Sequence, residues 1–216
     1  MDALEISQLL CHANVWHKIQ NDKIITKRMT TPIPEINNEI AYLAGIITGD
    51  GSLNICKRKK GGYHYRIQIV GHKDDLKHIA TLFKGLFDYN PAVHKDERKA
   101  NCYLINISNA AIFFYFIKLG LSSGKKRNLK VPTAIAANTS LFKHYMLGLI
   151  DTDGYIENNR VQLKQKEETF LKELVQLLQA HFSIKSNPPK VNYTDGKPFY
   201  YIRFPINNLQ AAALPG

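Results

Sequence analysis

Hydrophobic positions along this chain follow two rhythms in succession, and the succession occurs twice. Residues 43–51 read LAGIITGDG and residues 146–154 read MLGLIDTDG, each an apolar run with an internal glycine and a final Asp-Gly. Helical spacing is expected from Asn37 or Asn38, both good N-caps, through Leu43, Ile46 and Ile47 to Asp50-Gly51. It is expected again from Thr139 or Ser140 through Phe142, Met146 and Leu149 to Asp153-Gly154. After each run the period changes to two. Ile67 and Ile69 alternate with Arg66 and Gln68, and Val161 and Leu163 alternate with Arg160, Gln162 and Lys164. Amphipathic helices follow, carrying Leu76, Ile79, Phe83 and Phe87 in one copy and Leu171, Leu174, Leu178 and Phe182 in the other. Further strands are expected at 103–107 and 200–204 and a closing helix at 110–119. The counterpart of that helix would begin near Leu209, where the Ala-Ala-Ala-Leu-Pro-Gly tail reads as truncated or tag-derived. Each half thus reads helix, two strands, helix, two strands, helix, which is an α+β class.

The repeat divides the chain into 35–120 and 139–216, joined by a basic linker at 121–138. Residues 1–34 have no counterpart in the second half. They read as an appended helical arm, with Ile6, Leu9, Leu10 and Ala13 near helical spacing, ended by Thr30-Thr31-Pro32-Ile33-Pro34. The offset between the copies falls by nine residues after the Asp-Gly motifs. The surplus maps to a basic hairpin tip, Cys56–His64, that only the first half has.

Charge narrows the class of partner. The 216 residues carry a formal net charge of +11 at pH 7, which points to a polyanion, most often nucleic acid. The basic residues are clustered. No Asp or Glu occurs from 98 to 150, where eight Lys or Arg do, and none lies between Asp50 and Asp74, where six do. Three widely spaced cysteines, Cys11, Cys56 and Cys102, read as free thiols in a reducing, intracellular compartment rather than a disulfide frame or zinc site. No apolar run is long enough to span a membrane, and no signal-peptide pattern is present.

Glycine inside a helix costs about 1 kcal/mol relative to alanine. Gly45 and Gly148 therefore call for a compensating contact, and close approach of two helix backbones supplies one. Gly51 and Gly154 fit helix C-cap positions. Such packing would bring Asp50 and Asp153 together. Paired carboxylates repel unless a cation lies between them, and Mg²⁺, with its hard oxygen ligands, is the expected one. An acid at a helix C-terminus also opposes the macrodipole, so two of them need a reason. Asp151 lies two residues, about 200° of helix, from Asp153. It is expected to be structural or capping. On the strands, Arg66, Gln68, Asn158, Arg160, Gln162, Lys164 and Arg203 would face a DNA groove, where Arg reads guanine and Gln reads adenine. Lys57, Arg58, Lys59 and Lys60 of the hairpin tip, with Lys125, Lys126, Arg127 and Lys130 of the linker, would hold phosphates, and Tyr63 and His64 of the same tip are expected to contact DNA.

These residues carry a resemblance. Over about residues 36–209 the chain resembles the LAGLIDADG homing endonucleases in their single-chain, two-motif form. Both motifs match at the glycines and at the final Asp-Gly. The resemblance implies two pseudo-two-fold-related αββαββα halves forming a saddle over DNA. It implies that Asp50 and Asp153 bind divalent metal, helped by the carbonyls of Gly49 and Thr152, and direct one cut on each strand. It also implies a basic residue at the end of the second strand of each half. That is Lys166 in the second half, with Gln165 beside it to order water. In the first half His72 and Lys73 compete for the place. Thr48-Gly49 departs from the usual pair before the final acid.

The expected protein is a monomeric, intron-encoded endonuclease acting on a long, asymmetric double-stranded DNA site. Mg²⁺ is its expected cofactor, Mn²⁺ a substitute, and Ca²⁺ an ion that supports binding without cleavage. No self-splicing ends are present, so an intein is not expected. An RNA maturase that binds its host intron RNA is the alternative, and a non-catalytic DNA-binding regulator is a second rival.

Overall fold

A computed structural model of the chain describes residues 1–27, 29–59, 61–97, 101–206 and 209. The chain opens with helix α1 (Ala3–His12), whose Asp2 and Glu5 form a reciprocal capping box. Three short strands follow, β1 (His17–Gln20), β2 (Lys23–Thr26) and β3 (Thr30–Pro32), paired in that order as an antiparallel sheet. The helical arm expected here is therefore a helix plus a β-meander. The signal was Asn21-Asp22, both at positive φ, which turn the β1–β2 hairpin. Nor does this segment stand apart. Ile6, Leu10 and Ile24 are fully buried in the main core, and Glu5 pairs with Lys118 at 3.3 Å.

The first half continues with α2 (Asn38–Gly49), β4 (Gly51–Lys57), β5 (Tyr63–Gly71), α3 (Lys73–Phe87), β6 (Val93–Lys95), β7 (Tyr103–Ile107) and α4 (Ala110–Leu119). After a short helix α5 (Thr133–Ala136), the second half runs α6 (Thr139–Asp153), β8 (Gly154–Glu157), β9 (Arg160–Gln165), α7 (Glu168–Phe182), β10 (Lys190–Thr194) and β11 (Lys197–Pro205). The sheet orders are β4-β5-β7-β6 and β8-β9-β11-β10, the same topology twice. A counterpart to α4 would fall on residues outside those described, except for Leu209, which is buried.

Register locates the nine-residue difference. Gly51 pairs with Ile69 and Gly154 with Leu163, so the first hairpin is nine residues longer between equivalent points. Both its strands and its turn are extended. On β5 and β9 the apolar members face the helices (Tyr65, Ile67 and Ile69; Val161 and Leu163), and the polar members face outward. Tyr63 shares the phase of Tyr65 and Ile67. It thus belongs to the helix side of the sheet, and it lies beyond the edge of the core, 54% exposed.

α2 and α6 pack through their glycines. A Cβ on Gly45 would lie 2.2 Å from the Tyr145 carbonyl oxygen, and one on Gly148 would lie 2.2 Å from that of Tyr42. Two reciprocal hydrogen bonds flank this contact. Tyr42 donates to Asp151 Oδ2 at 2.7 Å, and Tyr145 donates to Thr48 Oγ1 at 3.2 Å. Asp151 is accordingly an interhelix ligand of Tyr42. Gly154 is the C-cap of α6 and Gly51 follows Asp50, the C-cap of α2, and neither glycine has positive φ. Each strand starts by folding back over the last helical turn. A Cβ on Gly51 would meet Ile47 Cα at 2.5 Å, and one on Gly154 would meet the Ile150 carbonyl oxygen at 2.4 Å.

Candidate active site and nucleic-acid interface

The glycine contact brings the C-terminal ends of α2 and α6 side by side, and so delivers Asp50 and Asp153 to one place. Burial is the main influence on both carboxyls and raises both. Asp153 is pushed up to about 6 by burial and then by the charge of Asp50, against the opposing pull of Lys126 and the Gln165 amide. Gln165, the last residue of β9, donates to Asp153 Oδ2 at 2.5 Å. Thr152 and Gly49 occupy equivalent positions but are complementary rather than alike. The Thr152 hydroxyl fills the space a side chain on Gly49 would need, 1.9 Å from its ideal Cβ. The departure of the first motif at Gly49 therefore has a steric partner in the second.

Lys126 is the residue whose place the sequence did not reveal. Expected from sequence as a phosphate contact, its ammonium donates to the Gly49 carbonyl and interacts with both Asp153 and Asp50. Burial lowers its pKa, and the two acids oppose that shift. Its ammonium places a positive charge beside the acid pair. Two carboxylates with the Gly49 carbonyl beside them form an all-oxygen donor set suited to Mg²⁺, which keeps several waters and needs few protein ligands. Among the described residues there is no cluster of three or more His, Cys, Asp or Glu side chains that could hold a metal. Any ion here would rest on this carboxylate pair, backbone oxygen and water.

Two clefts open from the pair, and they differ in charge. The cleft beside Asp153, about 670 Å³, is lined by Lys125, Lys126, Arg127, Lys164, Gln165 and Lys166. The cleft beside Asp50, about 640 Å³, is lined by Tyr42, His72, Asp74, Asp75, His78 and Asp151. Strand register makes His72 the equivalent of Lys166 and Gly71 the equivalent of Gln165. His72 and Lys73 diverge in position. His72 lines the Asp50 cleft, and Lys73 lies 5.8 Å over the Tyr103 ring. The amide that Gln165 supplies to Asp153 has no first-half counterpart.

The outward sheet faces carry the other sequence candidates. Gln68 donates to Asn106 at 3.2 Å, and His64 bonds Ser108 at 3.1 Å. Arg66 Nε is buried without a hydrogen-bond partner among the described residues. In the second half Arg203 donates to Gln162 at 2.7 Å and stacks on Tyr201, and Lys164 lies over Phe199. Asn158, Arg160, Gln162 and Arg203 share a surface hollow with Tyr155. Lys57, Arg58 and Lys59 are exposed at the hairpin tip, and Lys60 lies outside the described residues. Lys130 lines a separate small cleft with Gly51 and Ser52. No helix among the described residues is long and apolar enough to cross a membrane.

Residues 143–210 match the LAGLIDADG-like domain. The second half is a LAGLIDADG-like domain. The first half repeats its motif and topology across the glycine contact. Two uncharacterized proteins of Methanocaldococcus jannaschii are similar in sequence. One, MJ0398, is 29% identical over 154 residues, which is 68% of this chain and 51% of the relative. The other, MJ0314, is 20% identical over 157 residues, 72% and 56% respectively. The chain thus spans about half the length of the curated relatives it matches. Among solved structures, the homing endonuclease I-DmoI in complex with DNA and Ca superposes with a TM-score of 0.63 at 20% identity, over 81% of this chain and 86% of that one. The homing endonuclease I-WcaI bound to its DNA recognition sequence gives 0.52 at 16% identity, over 82% and 83%. The chain therefore has the fold of these homing endonucleases.

Proposed function

We propose that this LAGLIDADG chain is a site-specific, divalent-metal-dependent DNA endonuclease that cuts one phosphodiester on each strand of a long, asymmetric duplex. The observation that carries the reading is the meeting of Asp50 and Asp153, held by the Gly45–Gly148 contact at the base of two basic sheets. The DNA complexes of the structural neighbours, I-DmoI with Ca or Mn among them, support it. A bound Mg²⁺ would activate water and stabilise the leaving oxygen. The chain's own part is to hold Asp50, Asp153 and the Gly49 carbonyl around the ion and to steady Asp153 through Gln165. Lys126, Lys125 and Lys166 would face the phosphate on one side and His72 on the other. The outward strand residues would read bases, and the asymmetry of the halves would make the site non-palindromic. Nothing in the site favours the RNA-maturase alternative.

The test is a cleavage selection. A library of randomised long duplexes is incubated with the protein in Mg²⁺ and, separately, in Ca²⁺, and both cut and bound sequences are recovered. One asymmetric motif, cut on both strands in Mg²⁺ and only bound in Ca²⁺, is the expected result. A motif bound but uncut in Mg²⁺ would replace the endonuclease with a DNA-binding regulator.

The long first-half hairpin yields a separate expectation. Replacing Lys57, Arg58 and Lys59 together with alanine should weaken duplex binding and flatten its salt dependence. Each lost phosphate contact lowers the slope of log K against log salt by about 0.9, so a decrease of about 1–3 is expected. An unchanged slope in a salt titration would remove the hairpin from the phosphate interface.

A further inference from the structure

Lys126 reaches the acid pair from a segment with no helix or strand of its own to fix it. Five hydrogen bonds hold that segment. On the first-half side Gly124 N–H donates to the Leu53 carbonyl at 2.8 Å, and Ser123 donates to the same oxygen at 3.2 Å. On the second-half side Asn128 N–H donates to Glu167 Oε1 and Leu129 N–H to Glu167 Oε2, both at 2.7 Å. Farther on, Val131 N–H donates to Glu173 at 3.2 Å. Glu167 is the N-cap residue of α7, yet its side chain makes no capping bond to that helix. Both its oxygens are committed to the linker instead. Two backbone donors on one carboxylate make a bidentate, charge-assisted clamp, stronger and more directional than a neutral contact. The clamp closes two residues beyond Lys126. Asn128, one of the clamped residues, is in the left-handed conformation at φ 53°, so the chain turns sharply there.

We propose that Glu167 is a positioning residue: its carboxylate clamps the Asn128 and Leu129 amides and so sets Lys126 on the Gly49 carbonyl beside the acid pair. The proposal adds a residue to the site of the proposed endonuclease, and its catalytic consequence rests on that reading. Glu167 touches neither acid in this role and acts through the linker. Since it follows Lys166 directly, one β9–α7 junction carries both Lys166 in the cleft and the clamp that places Lys126. The second half thereby controls a lysine that comes after the first half in the chain.

The experiment has one arm that does not depend on nuclease activity. In metal-free protein labelled with [ε-¹³C]lysine, the Lys126 resonance is assigned by its loss in Lys126→Met. In Glu167→Ala that resonance should move into the envelope of solvated lysines. Glu167→Gln, which keeps one acceptor oxygen, should move it part of the way, and Glu173→Gln, which alters the linker bond at Val131, should leave it in place. An unmoved Lys126 resonance in folded Glu167→Ala and Glu167→Gln would overturn the proposal. The second arm is single-turnover cleavage in Mg²⁺. Glu167→Ala should slow cleavage about 10–100-fold, the range usual for residues that orient ligands from behind, with duplex binding in Ca²⁺ unchanged. In a Lys126→Met background the same substitution should change the rate by less than about twofold. Full additivity of the two substitutions would overturn the positioning role. A wild-type protein that cuts no duplex would overturn the endonuclease reading alone, and the resonance arm would still decide the clamp.

Discussion

Asp50→Asn and Asp153→Asn are each expected to abolish cleavage of the target duplex, by at least about 10³-fold or roughly 4 kcal/mol of transition-state stabilisation, while duplex binding persists. Each substitution removes one of the two charges that would hold the cation and leaves the sheet faces untouched. Loss of binding in either variant would count against the assignment. Asp153→Asn should also do something a surface acid would not. The Asp153 carboxyl is raised from 3.8 to about 6 in the folded protein, so folding favours its protonated form. The associated stability is present below about pH 4 and is lost as pH rises through about 6. The full shift corresponds to about 3 kcal/mol; partial exposure reduces this to roughly 1–2 kcal/mol. Metal-free Asp153→Asn should therefore melt about 2–8 °C above the wild type at pH 7.5 and match it more closely at pH 4. Thermal melts at the two pH values in a chelator check this. A variant less stable at both would show that the carboxylate is not strained in the fold.

The largest structural effect belongs to the glycine contact. Gly45→Ala and Gly148→Ala each place a methyl group 2.2 Å from a backbone carbonyl oxygen of the facing helix. No side chain can move aside, so α2 and α6 must separate. Overpacking of this kind costs about 1–3 kcal/mol or more at each site. Separation also strains the Tyr42–Asp151 and Tyr145–Thr48 bonds, worth about 1 kcal/mol each. The double variant should lose about 4–8 kcal/mol, which is comparable with the whole stability of an ordinary domain, and should unfold near room temperature. Gly85→Ala is the internal control. Gly85 lies on the solvent face of α3 with no atom near its ideal Cβ, so alanine there should be neutral or stabilising by up to about 1 kcal/mol. Urea titration separates the cases. Similar midpoints for Gly45→Ala and Gly85→Ala would mean that the helices do not meet through Gly45.

The amino-acid sequence determined the repeat, the helical runs that end in Asp50 and Asp153, the alternation of β5 and β9, and the apolar faces of α3 and α7. These are local periodicities, and burial of one face imposes them directly on the residues of one element. The helix glycines also announced a close contact, because an uncompensated glycine is expensive in a helix. Tertiary structure decided the rest. Gly51 and Gly154 read as cap positions, and Gly154 does cap α6, but the steric constraint on both is a strand folding back over its own helix, which no dihedral preference encodes. Tyr63 looked like part of a basic tip, but strand phase turned it to the helix side. Gly49 looked like a loss from the motif until Thr152, more than a hundred residues away, filled its space. Lys126 and Glu167 carried no periodic signal at all. Their places follow from where the linker crosses between the halves, and that crossing is fixed by hydrogen bonds between segments about forty residues apart. Spacing within one element cannot report such contacts, because they exist only once both halves have closed on each other.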